Sequence, residues 1–588
     1  MNEPREPKGR HQGDLPSGMD LGQPERWVVG LDGNRKQALE VGRTRLILTG
    51  LLFAFAFLAV GFRLVELSWL QNDMAPRIAG TMEAPGEWQA GRAGILDRNG
   101  EVLAANLPTM ALYANPRELR DPIEVADRLA EVMPDAIGER LRRDLDSDRS
   151  FVWVKRCLSP QESSAVIRLG VPGLHLQRDE CRFYPHGELV SHVVGFTDID
   201  DRGLAGMERA FDAWLAGGET PLQLSLDLRV QHVLAEELQA AIDEFSGVGG
   251  AAVVMDADNG ELLGMVSLPS FDPRMPGRAT EEQRFNRAAL GVYEVGSVLK
   301  SFSTAAALDS GSVTLEDGWD TSQPIRVARF TINDFRGKNR WQSVPEIFQN
   351  SSNIGTVHMA MTTGTERLRN YLDDFGLLDP ASLELPERGR PMLPNPWREI
   401  NTMTISYGHG IALTPLQVTR AFAALVNGGE LVQPTLIKRL PGEQAPRERV
   451  ISERTSEQMR WLLRLVVLHG SGGNADAEGY LVGGKTGTAN KLSPSGGYQK
   501  DKRIASFAGA FPIDDPRYVV FFMVDEPKPT ERTYGFATAG WVAAPGVGRV
   551  ISRLGPMLGM PPRPQAEEQR PDPLLVPARL RGRSVASR

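Results

Sequence analysis

At 588 residues the chain has room for three to four domains of roughly 150 residues each, one of them a large catalytic body, so a mini-protein is excluded. Hydrophobic residues at 41% and charged residues at 24% give a globular composition, not a disordered or collagen-like one. A net charge of -8 argues against general nucleic-acid binding, and two cysteines, Cys157 and Cys181, exclude a disulfide-dense scaffold or a Cys-rich zinc or iron-sulfur site.

Residues 1 to 42 are polar, rich in Pro and Gly and unpatterned, as expected of a flexible cytoplasmic leader. Leu46 to Phe62 then reads LILTGLLFAFAFLAVGF, seventeen uncharged residues between Arg45 and Arg63. As a helix it spans about 26 Å, and snorkelling arginines close the gap to a hydrocarbon core of about 30 Å. The segment 43 to 70 is therefore read as a single transmembrane anchor with its flank. A buried core helix would have to hide apolar surface on every side, and a cleaved signal peptide has a shorter leader and a shorter apolar run. Arg35, Lys36, Arg43 and Arg45 precede the span and only Arg63 and Arg77 follow closely, which places the N-terminus in the cytoplasm and the bulk of the chain outside.

Residues 71 to 220 offer mixed short elements. A tight turn is expected at Asn99-Gly100, helix over 117 to 145, a strand from Phe151 to Val154, and Gly-punctuated stretches at 182 to 187 and 192 to 198. These read as a non-catalytic spacer. The pattern changes near Pro221: Leu222 to Asp227 is a predicted strand, and apolar residues at 230, 234, 238, 241, 242 and 245 predict a helix over 228 to 245. Ala251 to Met255 and Glu261 to Ser267 are strands about a turn at Asn259-Gly260, and two more strands are expected far downstream, over 505 to 512 and 517 to 524. Residues 221 to 560 are thus expected to form an α/β body whose sheet is assembled from distant parts of the chain. Residues 561 to 588 hold six prolines and no periodicity, which predicts a disordered tail. The basic excess lies at the two ends, leaving -12 for residues 46 to 560.

Of eleven lysines only Lys300 has a serine three positions earlier, in Ser297-Val298-Leu299-Lys300. Val298, Phe302, Ala305 and Ala306 predict a helix that this tetrad opens, which puts Ser297 and Lys300 one turn apart on one face. A serine hydroxyl is a weak nucleophile until a base removes its proton, and a lysine serves only when burial or a nearby cation lowers its pKa. Taken alone, the tetrad could equally be a chance pair on a surface helix. Ser351-Ser352-Asn353 is the one S-x-N in the chain, otherwise readable as a helix cap. Gly483-Gly484-Lys485-Thr486-Gly487-Thr488 follows an apolar run and is otherwise readable as a Gly-rich hairpin. A phosphate-loop reading of that stretch fails because no helix is expected after it: Lys491 to Gly497 is rich in Ser, Pro and Gly. No G-x-S-x-G or H-E-x-x-H occurs, and no cofactor or metal-ligand set is read. His409 is expected to be structural, as are the loop aromatics Tyr498, Tyr534 and Phe536, with a place on a cleft wall as the alternative.

S-x-x-K, S-x-N and K-T-G-T in that order form the motif set of penicillin-recognising serine acyltransferases. From the anchor to about Leu558 the chain resembles the class B penicillin-binding proteins, single-anchor peptidoglycan D,D-transpeptidases, through Arg92 to Gly100, the Tyr184-Pro185 and His192 to Asp198 elements, Tyr293 to Lys300 and Val542 to Pro545. Within that class it is most similar to the septal FtsI type, although Val298-Leu299 stands where that type commonly has Thr-Phe. The resemblance implies an α/β pedestal over 71 to 220 and a transpeptidase domain over 221 to 560, an antiparallel sheet with helices on both faces. It implies catalytic roles for Ser297, Lys300, Ser351, Asn353 and Lys485, and substrate binding by Thr486, Gly487 and Thr488. It also implies stem-peptide substrates, β-lactams as inhibitors, inner-membrane residence at the division site, and an FtsW-type glycan polymerase and other division proteins as partners. An elongation-type transpeptidase, a membrane-bound β-lactamase or β-lactam sensor, and a non-enzymatic division scaffold are the alternatives. Cys157 and Cys181 would lie in an oxidising compartment, where a bridge and two separate thiols are both open readings.

Overall fold

The computed structural model describes residues 91 to 563, apart from 219, 328 to 329 and 493 to 496, together with Leu51, Ala54, Phe55, Phe57 and Leu58. Those five belong to the expected anchor and are helical; the leader, the rest of the anchor and the tail beyond Arg563 lie outside the described residues. Among the described residues no helix is long and apolar enough to cross a membrane.

The first lobe is built on one long strand. β1 (Ile95–Leu96) turns through Asn99 and Gly100 into β2 (Val102–Ala114), which pairs antiparallel with β3 (Val152–Leu158) on one side and β4 (Leu174–Phe183) on the other. Cys157 and Cys181 are bonded to one another, joining the two strands that flank β2. The helix expected over 117 to 145 is two helices, α1 (Pro122–Val132) and α2 (Glu139–Leu145). Met133, which precedes Pro134, leaves helical geometry at φ -145, as a residue before proline is pressed to do. α1, α2 and α3 (Pro160–Leu169) close a small core of Leu112, Leu129, Leu145, Val154 and Leu158. Elsewhere in this lobe Arg92 and Arg182 both bond Glu208, at 2.6 and 2.7 Å, and the Glu208 side chain is wholly buried.

Asp97 makes the joint to the second lobe. Its carboxylate accepts from the amides of Asn99 and Glu101, at 2.7 and 2.9 Å, and from the amide of Leu228 at 3.1 Å, so one buried side chain fixes a hairpin and the first turn of α4 (Leu228–Glu244). The strand expected over 222 to 227 is shorter, β5 (Leu222–Gln223), lying parallel to β1, with Leu224 bridged to Ile437.

The second lobe has a five-stranded sheet of β6 (Gly249–Asp256), β7 (Leu262–Leu268), β8 (Gly483–Leu492), β9 (Tyr498–Phe511) and β10 (Tyr518–Asp525) in the order β8-β9-β10-β6-β7, every pair antiparallel. β6, β7 and β10 are buried throughout, which explains why they read as continuous apolar runs. α4 and α10 (Ala539–Met557) cover one face through Leu234, Leu238, Val547 and Ile551. The other face carries α5 (Lys300–Asp309), α8 (Pro415–Val426) and α9 (Glu453–His469), packed through Phe302, Phe422 and Leu463. Helices therefore flank the sheet on both sides, and β8 is left at an edge.

Candidate active site

Three glycines allow the site to close. Ser297 lies in a single 3-10 turn, Gly296 to Leu299, that runs into α5. Gly296 has φ +54, and a Cβ there would stand 2.5 Å from the carbonyl oxygen of Thr488. A Cβ on Gly487 would stand 2.0 Å from the Val295 oxygen, and one on Gly408 would stand 1.8 Å from the Gly296 oxygen. The turn holding Ser297 is thus clasped between edge strand β8 and the Tyr407 to Gly410 segment at distances that exclude any side chain. Ser297 itself is partly exposed, whereas Lys300 to Leu308 behind it are all buried.

Two lysines converge on one hydroxyl. Lys300 is fully buried, and its Nζ donates to the Ser351 carbonyl at 2.5 Å, to Asn353 Oδ1 at 2.7 Å and to Ser351 Oγ at 3.2 Å. Lys485 is fully buried too; its Nζ donates to Ser351 Oγ at 3.0 Å and to the Thr486 carbonyl at 3.3 Å. Each partner is neutral. Burial, then the charge of Lys485, hold Lys300 well below the usual lysine range, and burial pulls Lys485 down to about 7.

The break between α6 (Val344–Asn350) and α7 (Asn353–Thr363) places the acceptors. Ser351 closes α6 in the left-handed region at φ 57, a conformation that costs a non-glycine residue about 1 to 3 kcal/mol and is held here by its surroundings. Ser352 caps α7, accepting from the Gly355 amide at 3.0 Å, so the motif serves as a helix cap while Ser351 and Asn353 on either side of it face Lys300. Asn353 donates from Nδ2 to the Asn333 carbonyl at 2.9 Å, which fixes the amide so that Oδ1 faces Lys300.

On the edge strand, Thr486 Oγ1 lies 2.5 Å from Ser471 Oγ, and Thr488 Oγ1 accepts from the Ala539 amide at 3.0 Å, at the N-terminus of α10. Lys485 therefore belongs to the first arm of an antiparallel pair, β8 with β9. Gly479 and Gly484-Lys485-Thr486 have the spacing of a phosphate loop, but Lys485 lies inside β8, which runs on to Leu492 and pairs with β9, and that placement removes the reading.

Several residues with no motif of their own complete the arrangement. Asp334 accepts from Ser352 Oγ at 2.7 Å and from the amides of Asn353 and Ile354 at 2.5 and 3.0 Å. The one sequence signal for it is that α7 has no acidic residue in its own first turn, so the carboxylate that complements its N-terminus comes from elsewhere. Glu294, buried three residues before Ser297, accepts from Tyr498 Oη at 3.0 Å and the Gly410 amide at 2.8 Å, with His409 Nδ1 at 3.3 Å. The Gly410 amide and Tyr498 thus hold Glu294 and, with it, the segment that carries Ser297. Tyr534 is 80% exposed, and the guanidinium of Arg336 lies 5.1 Å from the Phe536 ring centre. Among the described residues no cluster of three or more His, Cys, Asp or Glu is arranged to hold a metal ion.

Residues 250–546 match the family described as penicillin binding protein transpeptidase domain, and residues 87–227 match the penicillin-binding protein dimerisation domain. The chain is 42% identical over 485 residues to a probable peptidoglycan D,D-transpeptidase FtsI of Caulobacter vibrioides, covering 80% of this chain and 82% of that protein. It is 31% identical over 540 residues to the peptidoglycan D,D-transpeptidase FtsI of Escherichia coli, covering 85% of this chain and 90% of that one. The structure of penicillin binding protein 3 from Mycobacterium tuberculosis complexed with ampicillin superposes with a TM-score of 0.65 at 26% identity, covering 81% of this chain and 97% of that one.

Proposed function

We propose a residue-level mechanism from one premise: the chain belongs to the penicillin-binding protein transpeptidase family, as a class B enzyme of the FtsI type. It is a serine-type peptidoglycan D,D-transpeptidase that cross-links stem peptides at the septum. Ser297 Oγ attacks the carbonyl between two terminal D-Ala residues, Lys300 as the neutral amine takes its proton, and the terminal D-Ala leaves. The backbone amides of Ser297 and Thr488, brought together by Gly296 and Gly487, hold the oxyanion. Ser351, hydrogen-bonded by both lysines, passes the proton to the departing amine, and Asn353 orients Lys300 and the substrate amide. Lys485, Thr486 and Thr488 bind the terminal carboxylate. The outer edge of β8 accepts the donor peptide as an added strand, and an amine on a second stem peptide then attacks the acyl-enzyme.

The observation that carries this reading is the meeting of two fully buried lysines on Ser351 Oγ, a placement that serves proton transfer and costs stability. A labelled penicillin should acylate the wild type and leave Ser297→Ala unlabelled. Equal labelling of the two would remove Ser297 from the mechanism.

Family membership extends the proposal to the rest of the chain. We assign 1 to 42 as a cytoplasmic leader, 43 to 70 as the inner-membrane anchor and its flank, 71 to 220 as an exported pedestal, 221 to 560 as the transpeptidase domain and 561 to 588 as a tail. The anchor is supported by Leu51, Phe55, Phe57 and Leu58, helical and 63 to 76% exposed, an apolar surface that water would penalise and lipid would not. An FtsW-type glycan polymerase docks on the anchor and pedestal, and β-lactams acylate Ser297 as substrate mimics. Septal enrichment of a tagged copy is expected; uniform sidewall labelling would move the enzyme to the elongation type.

A further inference from the structure

The loop from Asn333 to Arg340, sequence NDFRGKNR, forms one lip of the cleft beside the Ser351 turn. Its charges are not equivalent. The Asp334 carboxylate is consumed by Ser352, Asn353 and Ile354, and Arg340 is paired with Glu346 at 2.8 Å. Arg336 and Lys338 have no carboxylate partner among the described residues. They are exposed cations in a body, residues 46 to 560, that carries a net -12.

Arg336 does not hang free. Its guanidinium lies 5.1 Å from the centre of the Phe536 ring, in the segment that leads into Ala539, and the Ala539 amide in turn donates to Thr488 Oγ1 at 3.0 Å. The contact spans the cleft, from the loop that holds Ser352 and Asn353 to the segment anchored on Thr488. Two exposed aromatic side chains stand beside it, Phe335 at 78% and Tyr534 at 80% exposure. An arginine stacked on a ring keeps its planar edge of N–H donors open, and that edge fits a carboxylate in two-point geometry.

The chemistry of the second step says which carboxylate. The amine that leaves and the amine that arrives occupy the same place, beside Ser351 and the Thr486 to Thr488 strand, since both bond to the same acyl carbon. The leaving group is a single amino acid whose carboxylate Lys485 and the two threonines hold. The arriving amine belongs to a whole stem peptide, so its remaining carboxylates project past the threonines, where the Arg336 and Phe536 bridge lies. We propose that Arg336, stacked on Phe536 and assisted by Lys338, is a specificity-determining residue that binds a carboxylate of the acceptor stem peptide. This rests on the transpeptidase reading of the site.

The test separates the two half-reactions in the full-length enzyme. Labelled penicillin reports acylation, and transfer from a thioester donor to a synthetic tetrapeptide reports the second step, the tetrapeptide being supplied with its carboxylates free or all amidated. Arg336→Gln should raise the KM for the free-carboxylate acceptor about tenfold, the value of one charge-assisted contact, while penicillin acylation stays within about twofold. The amidated acceptor should be used poorly and equally by both enzymes, and Arg336→Lys should recover part of the loss. An unchanged KM for the free acceptor, or an equal loss with the amidated one, would overturn the carboxylate role. Loss of penicillin acylation in Arg336→Gln would overturn it as well, by showing that Arg336 holds up the Ser351 turn. A wild type that penicillin does not label would sink the transpeptidase reading instead.

Discussion

The two lobes bury charge in opposite ways. In the first, Glu208 is wholly enclosed and receives two guanidinium groups, Arg92 at 2.6 Å and Arg182 at 2.7 Å, so each buried charge meets its opposite and Arg92 stays ionised with its pKa raised. In the second, Lys300 and Lys485 are enclosed with a serine, an asparagine and backbone carbonyls, none of which carries charge. Paired burial fixes protonation and makes a structural rivet. Unpaired burial of like charges drives protons off, and a lysine that gives up its proton near neutral pH can act as a base. Desolvation is common to both lobes; the partner decides whether it yields rigidity or reactivity.

The strongest way to break this contrast is to neutralise one charge in each lobe. Lys300→Met should lower the penicillin acylation rate by about 10³ to 10⁴-fold while leaving thermal stability unchanged or higher, because an apolar chain of similar volume replaces a poorly solvated amine. A drop in melting temperature alongside the rate would mean that Lys300 is structural. Glu208→Gln should do the reverse, costing about 3 to 5 kcal/mol in denaturant unfolding by leaving the buried Arg182 guanidinium without a carboxylate and Arg92 with Asp212 alone, with acylation of the surviving folded enzyme near wild type. Asp334→Ala should cost about 1 to 3 kcal/mol, since it strands two amides and a hydroxyl at the start of α7. It should also slow acylation by loosening Ser351 and Asn353, whereas an altered melting temperature with unaltered acylation would detach Asp334 from the site.

The pH dependence of stability gives the smallest effect on any one step of its axis and sharpens the comparison furthest. Burial pulls the Lys485 amine down to about 7, from the ordinary lysine value of 10.5. Between those values the unfolded chain binds a proton at this position that the folded chain does not. Stability should therefore rise with pH over that window, by at most about 1.4 kcal/mol per pH unit from this group. The rise should shrink in Lys485→Met, which retains only the contribution of the similarly depressed Lys300, and persist in full in Glu208→Gln. Equal slopes in the wild type and Lys485→Met would show that Lys485 is charged at pH 8 and above.

The sequence disclosed the parts of the site that chemistry dictates and concealed the parts that geometry supplies. Lys300, Ser351, Asn353 and Lys485 stand in three short motifs, with Ser297 in the first, because side chains from three separate elements must meet, as the bonds of both lysines to Ser351 show. Asp334, Glu294 and Ser471 act by bracing those elements through hydrogen bonds, and their spacing in the sequence does not mark them. The central strands β6, β7 and β10 were legible as apolar runs because both of their faces are covered. β2 was not, since its burial alternates irregularly and Pro108 sits inside it, although it is the strand on which the first lobe is assembled. The helical reading of 117 to 145 holds on both sides of Pro134 and is interrupted there, because the proline breaks the helix.

The glycine clasp at 296, 408 and 487 bears on how this enzyme can change under antibiotic selection. Any side chain at Gly408 or Gly487 meets backbone at 2.0 Å or less, so it must push the Ser297 turn away from its strand. The oxyanion formed from a β-lactam and the one formed from a stem peptide would lose the same donors. Escape at those positions therefore sacrifices cell-wall synthesis together with drug sensitivity. Tolerated resistance substitutions should accumulate on the exposed rim around Phe335 and Tyr534, where the two ligands differ in shape, and leave the clasp invariant.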